Sequence, residues 1–226
     1  STLNTISYMS YKRLIVALDT NDFSRVKQIV GHLDSTQCMV KVGLELFISQ
    51  REKVLEYLSS QGFEIFLDLK LHDIPNTVSK AIQEIQNFNV SMTTIHLQGG
   101  LEMINAACES AQSTKILGVS LLTSLAEEDT EKLYGNTFDT QFKKLINIAN
   151  NSVVDGVVCS PHELSLLTNL NKIKVVPGIR NDFTQDDQKR VMSSAEAYSL
   201  GADFIVVGRP ITQGDNVSER FKEYLC

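Results

Sequence analysis

Two carboxylates and a lysine fall within six positions at Asp68, Lys70 and Asp73, directly after the apolar run over residues 64–67. A strand turns residues two apart to one face, so Asp68 and Lys70 project together while Leu67, Leu69 and Leu71 face the other way. Pro75 suits the first turn of a following helix, which leaves Asp73 on the turn between them. Burying ions together costs several kcal/mol apiece unless they neutralise one another. A lysine held charged between carboxylates suits a reaction in which one carboxylate pushes against the reacting centre and the ammonium donates it a proton. Stability alone supplies a plainer alternative, a salt-bridged strand end with Asp73 capping the next helix.

The elements that must position these groups repeat along the chain. Short apolar runs read as strands over 13–19, 37–43, the stretch just described, 91–97, 115–122, 155–159, 172–176 and 203–207. Helical segments follow them, over 22–33, 44–60, 75–88 and 101–111, then through 150 after a polar loop, and from Pro161. The spacing predicts a single (β/α)8 barrel over 1–226, with residues 1–10 as a polar lead-in. Near-continuous apolar strands agree with a parallel sheet covered on both faces. An open doubly wound sheet is the alternative, but Asp19-Thr20-Asn21-Asp22 is no glycine-rich phosphate turn.

Active groups of such barrels sit at the carboxyl ends of the strands. Asp19 ends the first run, Lys41 the second, and Asp68 and Lys70 the third. Parallel neighbours lie about 4.8 Å apart, so these side chains are expected to form one alternating array closed by Asp73. The loops after strands seven and eight are the usual phosphate-binding places. Arg180 in Val176-Pro177-Gly178-Ile179-Arg180 can grip a phosphate, the polar stretch 181–187 reads as a lid, and Gln188 can reach over the phosphate by hydrogen bonding. Gly208 and Arg209 in Val207-Gly208-Arg209-Pro210 supply backbone N–H groups and a guanidinium for the same anion. His96, with no metal-ligand spacing around it, reads as a structural histidine with its hydrogen bonds satisfied.

Charge and cysteine usage narrow the classes. A formal charge of −6 on 226 residues disfavours a nucleic-acid or anionic-membrane surface while leaving room for one cationic phosphate pocket. Cys38, Cys108, Cys159 and Cys226 lack C-x-x-C spacing and read as buried free thiols. No signal stretch or spanning run is present, which fits a cytoplasmic enzyme.

The motif D-x-K-x-x-D-I-P-x-T, met by Asp68, Lys70, Asp73, Ile74, Pro75 and Thr77, resembles the signature of the orotidine 5'-phosphate decarboxylase family, and the likeness runs from Asp19 to Arg209. The resemblance implies decarboxylation of orotidine 5'-phosphate to uridine 5'-phosphate, the last step of de novo pyrimidine nucleotide synthesis, with no metal and no cofactor. It implies that Lys70 protonates C6, that Asp68 holds Lys70 beside the substrate carboxylate, and that Asp19 and Lys41 meet ribose hydroxyls or complete the array. It further implies that Thr123 meets the pyrimidine, and that Asp73 and Thr77 reach the ribose across a homodimer interface. The nearest rivals resemble 3-keto-L-gulonate 6-phosphate decarboxylase or hexulose-phosphate synthase, which share D-x-K-x-x-D but use magnesium and usually a glutamate at the end of strand two, where this chain has Lys41. A catalytically silent nucleotide-binding protein on the same barrel is the rival of another class.

Overall fold

The apolar runs become the staves of a closed barrel. The structure, a computed structural model, describes residues 12–182 and 191–225. Strands β1 (Leu14–Ala17), β2 (Cys38–Val42), β3 (Ile65–Leu71), β4 (Val90–His96), β5 (Lys115–Val119), β6 (Gly156–Val158), β7 (Ile173–Val176) and β8 (Phe204–Val207) pair in chain order. All neighbours run parallel, and β8 closes on β1 through Leu14–Ile205, Ile15–Val206 and Val16–Val207. The expected (β/α)8 barrel is the observed fold, with the strands trimmed at their ends.

Helices follow the strands: α1 (Phe23–Val30), α2 (Leu44–Gln50), α3 (Glu52–Ser60), α4 (Pro75–Ile85), α5 (Leu101–Ser110), α6 (Glu127–Tyr134), α7 (Phe138–Asn150), α8 (Ser194–Ser199), α9 (Arg209–Thr212) and α10 (Val217–Glu223), with the helix expected from Pro161 formed as a 3-10 helix, Pro161–Leu167, between β6 and β7. Asp22 starts α1 by accepting the Ser24 N–H at 2.9 Å, which satisfies one of the free donors of the first turn. The expected single helix over 44–60 is instead two. Arg51 separates them with φ at 56°, while Ser49 Oγ and Gln50 Nε2 donate to the Asn21 carbonyl. Tertiary hydrogen bonds to the β1 loop thus accompany a break that helix propensity gives no reason to expect.

Strand alternation builds two apolar layers. Inside the barrel lie Ile15, Ala17, Met39, Phe66, Met92, Leu117, Val175, Phe204 and Val206, all buried. The outward residues, among them Val16, Val40, Ile65, Leu67 and Ile205, join the helices in the larger cluster. At about 25 cal/mol per Å² of apolar surface removed from water, this double coverage is the main force closing the barrel. Three cysteines sit within this packing as free thiols, Cys38 and Cys159 buried and Cys108 half-buried. Burial pushes Cys38 and Cys159 up to about 12 and Cys108 up to about 11, so all three stay protonated and poor nucleophiles near neutrality. Cys226 and the lead-in 1–10 lie outside the described residues.

Candidate active site

The interior apolar layer dictates where the charges go. Asp19, Lys41 and Asp68 each stand two residues beyond an interior residue, Ala17, Met39 and Phe66 respectively, so their side chains form the next layer toward the carboxyl mouth. They meet there in series. Lys41 Nζ lies 3.9 Å from Asp19 Oδ1 and 3.8 Å from Asp68 Oδ2, and Lys70 Nζ lies 2.9 Å from Asp68 Oδ2. Only the last is a full hydrogen bond; the other two are looser ion pairs. The middle of the row is sheltered and its ends are wetter, with side-chain exposure of 60% at Asp19, 17% at Lys41, 11% at Asp68 and 35% at Lys70. Two carboxylates and two ammonium groups alternate, so each buried charge has an opposite neighbour.

A local irregularity sets Lys70. The β3–β4 ladder pairs Leu67 with Thr93 and next Leu71 with Ile95, so four steps on β3 match two on β4. The surplus forms a bulge carrying Asp68, Leu69 and Lys70, and Lys70 adopts φ of 49°, in the left-handed region. Such a conformation costs a non-glycine residue roughly 1–2 kcal/mol. Two buried hydroxyls serve the bulge backbone. Thr93 Oγ1 donates to the Leu67 carbonyl at 2.8 Å, and Thr94 Oγ1 accepts the Lys70 N–H at 2.9 Å. Bulges beside functional sites commonly re-aim a side chain in this way.

The expected phosphate end opens on the same mouth. A Cβ added to Gly208 would lie 3.6 Å from the Ala17 Cβ and 3.7 Å from Asp19 Oδ2, so the end of β8 abuts the start of the charge row. Gly208 precedes α9, and Arg209 is exposed beside it. Arg180, half-buried at the end of β7, holds its Nε 3.9 Å from Asp182 Oδ1, a loose contact that leaves the guanidinium available. The base of that loop is fastened: the Arg180 N–H donates to the Met192 carbonyl, the Asn181 N–H to Tyr224 Oη, and Asn181 Oδ1 accepts from Ser194. Gln188 and the lid expected over 181–187, apart from Asn181 and Asp182, lie outside the described residues.

Thr123 is exposed and lines a cavity of about 580 Å³ with Leu125, Pro161, Glu163, Pro177 and Gly178, formed by the segments after β5, β6 and β7. That volume falls within the usual range of small-molecule sites. Asp73 and Thr77 stand apart from the row. Both are exposed; Asp73 Oδ1 accepts the Ile74 N–H at 2.7 Å, and among the described residues Asp73 forms no ion pair. Within one chain the array is therefore closed by Asp19 rather than by Asp73. Asp73 does not cap α4 either, since Ile74 is the N-cap residue and no side chain caps it. The reading of His96 as a satisfied histidine is also corrected. Its Nδ1 is buried without a hydrogen-bond partner among the described residues, and its ring lies 5.3 Å from that of His72. Burial lowers its pKa, with His72 and Lys70 adding to the effect and Asp68 opposing it, so the ring stays neutral near pH 7.

Comparison with known proteins assigns the family and agrees with the barrel fold. The family model described as "Orotidine 5'-phosphate decarboxylase / HUMPS family" matches residues 12–224. The chain belongs to this family. Among its relatives, an orotidine 5'-phosphate decarboxylase of Laribacter hongkongensis is 40% identical over 208 residues, covering 88% of this chain and 86% of the relative. One from Saccharophagus degradans is 39% identical, covering 90% of each. The solved orotidine 5'-phosphate decarboxylase of Lactobacillus acidophilus superposes with a TM-score of 0.82 at 33% identity, over 94% of this chain and 97% of that one.

For this family member, Asp19, Lys41, Asp68, Lys70 and Gly208 are brought to one mouth, as their strand-end positions predict. Sequence reasoning missed Thr94 and the His72–His96 pair. A threonine inside a strand is ordinary, and the only signal available was its place two residues beyond the interior Met92, the same offset that picks out Asp68 after Phe66.

Proposed function

We propose that this chain decarboxylates orotidine 5'-phosphate to uridine 5'-phosphate, drawing on no metal or organic cofactor. The observation that carries the reading is the Lys70–Asp68 contact at 2.9 Å, inside an alternating row that shares its mouth with Gly208. Gly208, Arg209 and Arg180 hold the phosphate, with Gln188 reaching over it. Asp19 and Lys41 face the ribose, and Thr123 reads the edge of the pyrimidine. This places the scissile carboxylate beside Asp68, where two like charges meet and the ground state is disfavoured relative to departing carbon dioxide. The C6–carboxylate bond breaks, its electron pair remains on C6, and the Lys70 ammonium stabilises that charge and transfers its proton to it. Lysine then recovers a proton from solvent. Lys41, lying between two carboxylates where the magnesium-using relatives usually carry a glutamate, favours this reading over ketogulonate-phosphate chemistry.

Loss of orotidine 5'-phosphate followed by ultraviolet absorbance with EDTA present tests the reading. Undiminished turnover supports it. Tight uridine 5'-phosphate binding without turnover points to the silent binder, and activity restored only by magnesium on ketogulonate phosphate points to the rival enzyme.

The exposed Asp73, Ile74 and Thr77 at the start of α4 fit a site completed by a second copy of the chain, in which Asp73 and Thr77 reach the partner's ribose. Lys70→Ala and Asp73→Ala proteins, each inactive alone, then recover about a quarter of parental activity on equal mixing, since half the dimers are mixed and each has one intact site. Mixtures that stay inactive after verified subunit exchange rule out the shared site.

A further inference from the structure

Thr94 stands two residues beyond the interior Met92, in the charge row's layer, and the proposed chemistry leaves it without a task. Its side chain is wholly shielded from solvent. Its hydroxyl makes two bonds to two different parts of the site, donating to Asp68 Oδ1 at 2.7 Å and accepting the Lys70 backbone N–H at 2.9 Å. A hydroxyl has one proton to give and lone pairs to receive, so both bonds form together with their directions fixed. We propose that Thr94 is a positioning residue for the proton donor, holding Lys70 in its left-handed conformation and the Asp68 carboxylate in the orientation that receives the lysine. The proposal rests on the decarboxylase reading for its effect on turnover, but not for its effect on geometry.

Two strains converge on this oxygen. The ladder passes from Leu67–Thr93 to Leu71–Ile95, and it is the Thr94 oxygen, not a β4 carbonyl, that accepts the Lys70 amide. The same oxygen divides the work on Asp68: Oδ1 is held by Thr94, which turns Oδ2 to Lys70 at 2.9 Å and Lys41 at 3.8 Å. Without the hydroxyl, a buried amide loses its acceptor, a carboxylate oxygen loses its donor, and neither the kink nor the rotamer is enforced.

Thr93 provides the control. It is equally buried and bonds the same bulge through the Leu67 carbonyl, yet it makes no hydrogen bond to Asp68 or Lys70. If Thr94 served only to brace the strand, the two threonines would behave alike.

The test compares Thr94→Val, Thr94→Ser and Thr93→Val for kcat, KM, uridine 5'-phosphate affinity, thermal midpoint and crystal structure. Thr94→Val is expected to lower kcat about 10- to 100-fold, the loss of a buried hydrogen bond to a charged group, with KM and product affinity little changed. Thr94→Ser restores most of the turnover, and Thr93→Val lowers the thermal midpoint but keeps kcat. Parental kcat in Thr94→Val, or an equal loss in Thr93→Val, overturns the proposal. Thr94→Ala replaces the valine variant if that one fails to fold. Should the parent itself not turn over orotidine 5'-phosphate, the decarboxylase reading fails separately, and the crystal structures decide. Loss of the Lys70–Asp68 contact or of the left-handed Lys70 in the hydroxyl-less variant upholds the positioning role, and retention of both overturns it.

Discussion

Lys70→Ala is expected to lower kcat by at least ~10⁴-fold while the protein still binds uridine 5'-phosphate within about an order of magnitude of the parent. Two effects add. On the proposed reading the substitution removes the proton donor, worth about 10²- to 10⁴-fold on its own, and it removes a positive charge that stabilises the electron pair left on C6. The ammonium also neutralises Asp68 at 2.9 Å, so its loss leaves Lys41, at 3.8 Å, as the one cation paired with that carboxylate among the described residues. A substrate carboxylate then meets a less compensated charge, while a product that has none does not. Binding and chemistry should therefore separate, which single-turnover assays and product titration measure directly. Comparable turnover in variant and parent would remove Lys70 from the reaction.

On the same reading Arg209→Ala should weaken uridine 5'-phosphate about 10²- to 10⁴-fold, removing two charge-assisted hydrogen bonds at roughly 1.5–3 kcal/mol each, and leave uridine almost unaffected. Binding energy gained at a remote phosphate can be used to press the substrate carboxylate toward Asp68, so the cost extends to kcat/KM for the substrate. Arg209 is exposed and follows Gly208 at the end of β8, away from the apolar layers, so the substitution leaves the fold intact. Calorimetric titration with the two ligands checks the contrast. Equal losses for nucleotide and nucleoside would take Arg209 out of the phosphate site.

The barrel and most of the charge row were legible in the sequence because both follow from alternation. Strands covered on two faces read as unbroken apolar runs, and a charge two positions past an interior residue can only point into the mouth; Met39–Lys41 and Phe66–Asp68 are examples. Strand ends were less legible. Ser120 and Leu121 are buried yet outside the ladder, because the pairing of β5 ends at Val119 on both sides, against His96 of β4 and Val158 of β6. What remained hidden depended on cross-strand geometry. The left-handed turn at Lys70, the Thr94 hydroxyl that serves it and the hydrogen bonds to Asn21 beside the break at Arg51 each involve a neighbour distant in the chain. Asp73 belongs to the same class, since its motif position carries no information about whether its partner lies in the same chain.

The surplus length in β3 is confined to its border with β4. On the far side β4 pairs with β5 without interruption from Met92–Lys115 to His96–Val119, and on the near side β2 and β3 keep register from Val40–Ile65 to Val42–Leu67. Scaffold and bulge are thus separable: the surroundings of Lys70 can be redrawn by changing a few residues of one strand and the Thr94 hydroxyl facing it, while the other strand pairings keep their register. A barrel organised this way can acquire new chemistry by local revision, and variants of residues 68–71 paired with residue 94 are where such revision would begin.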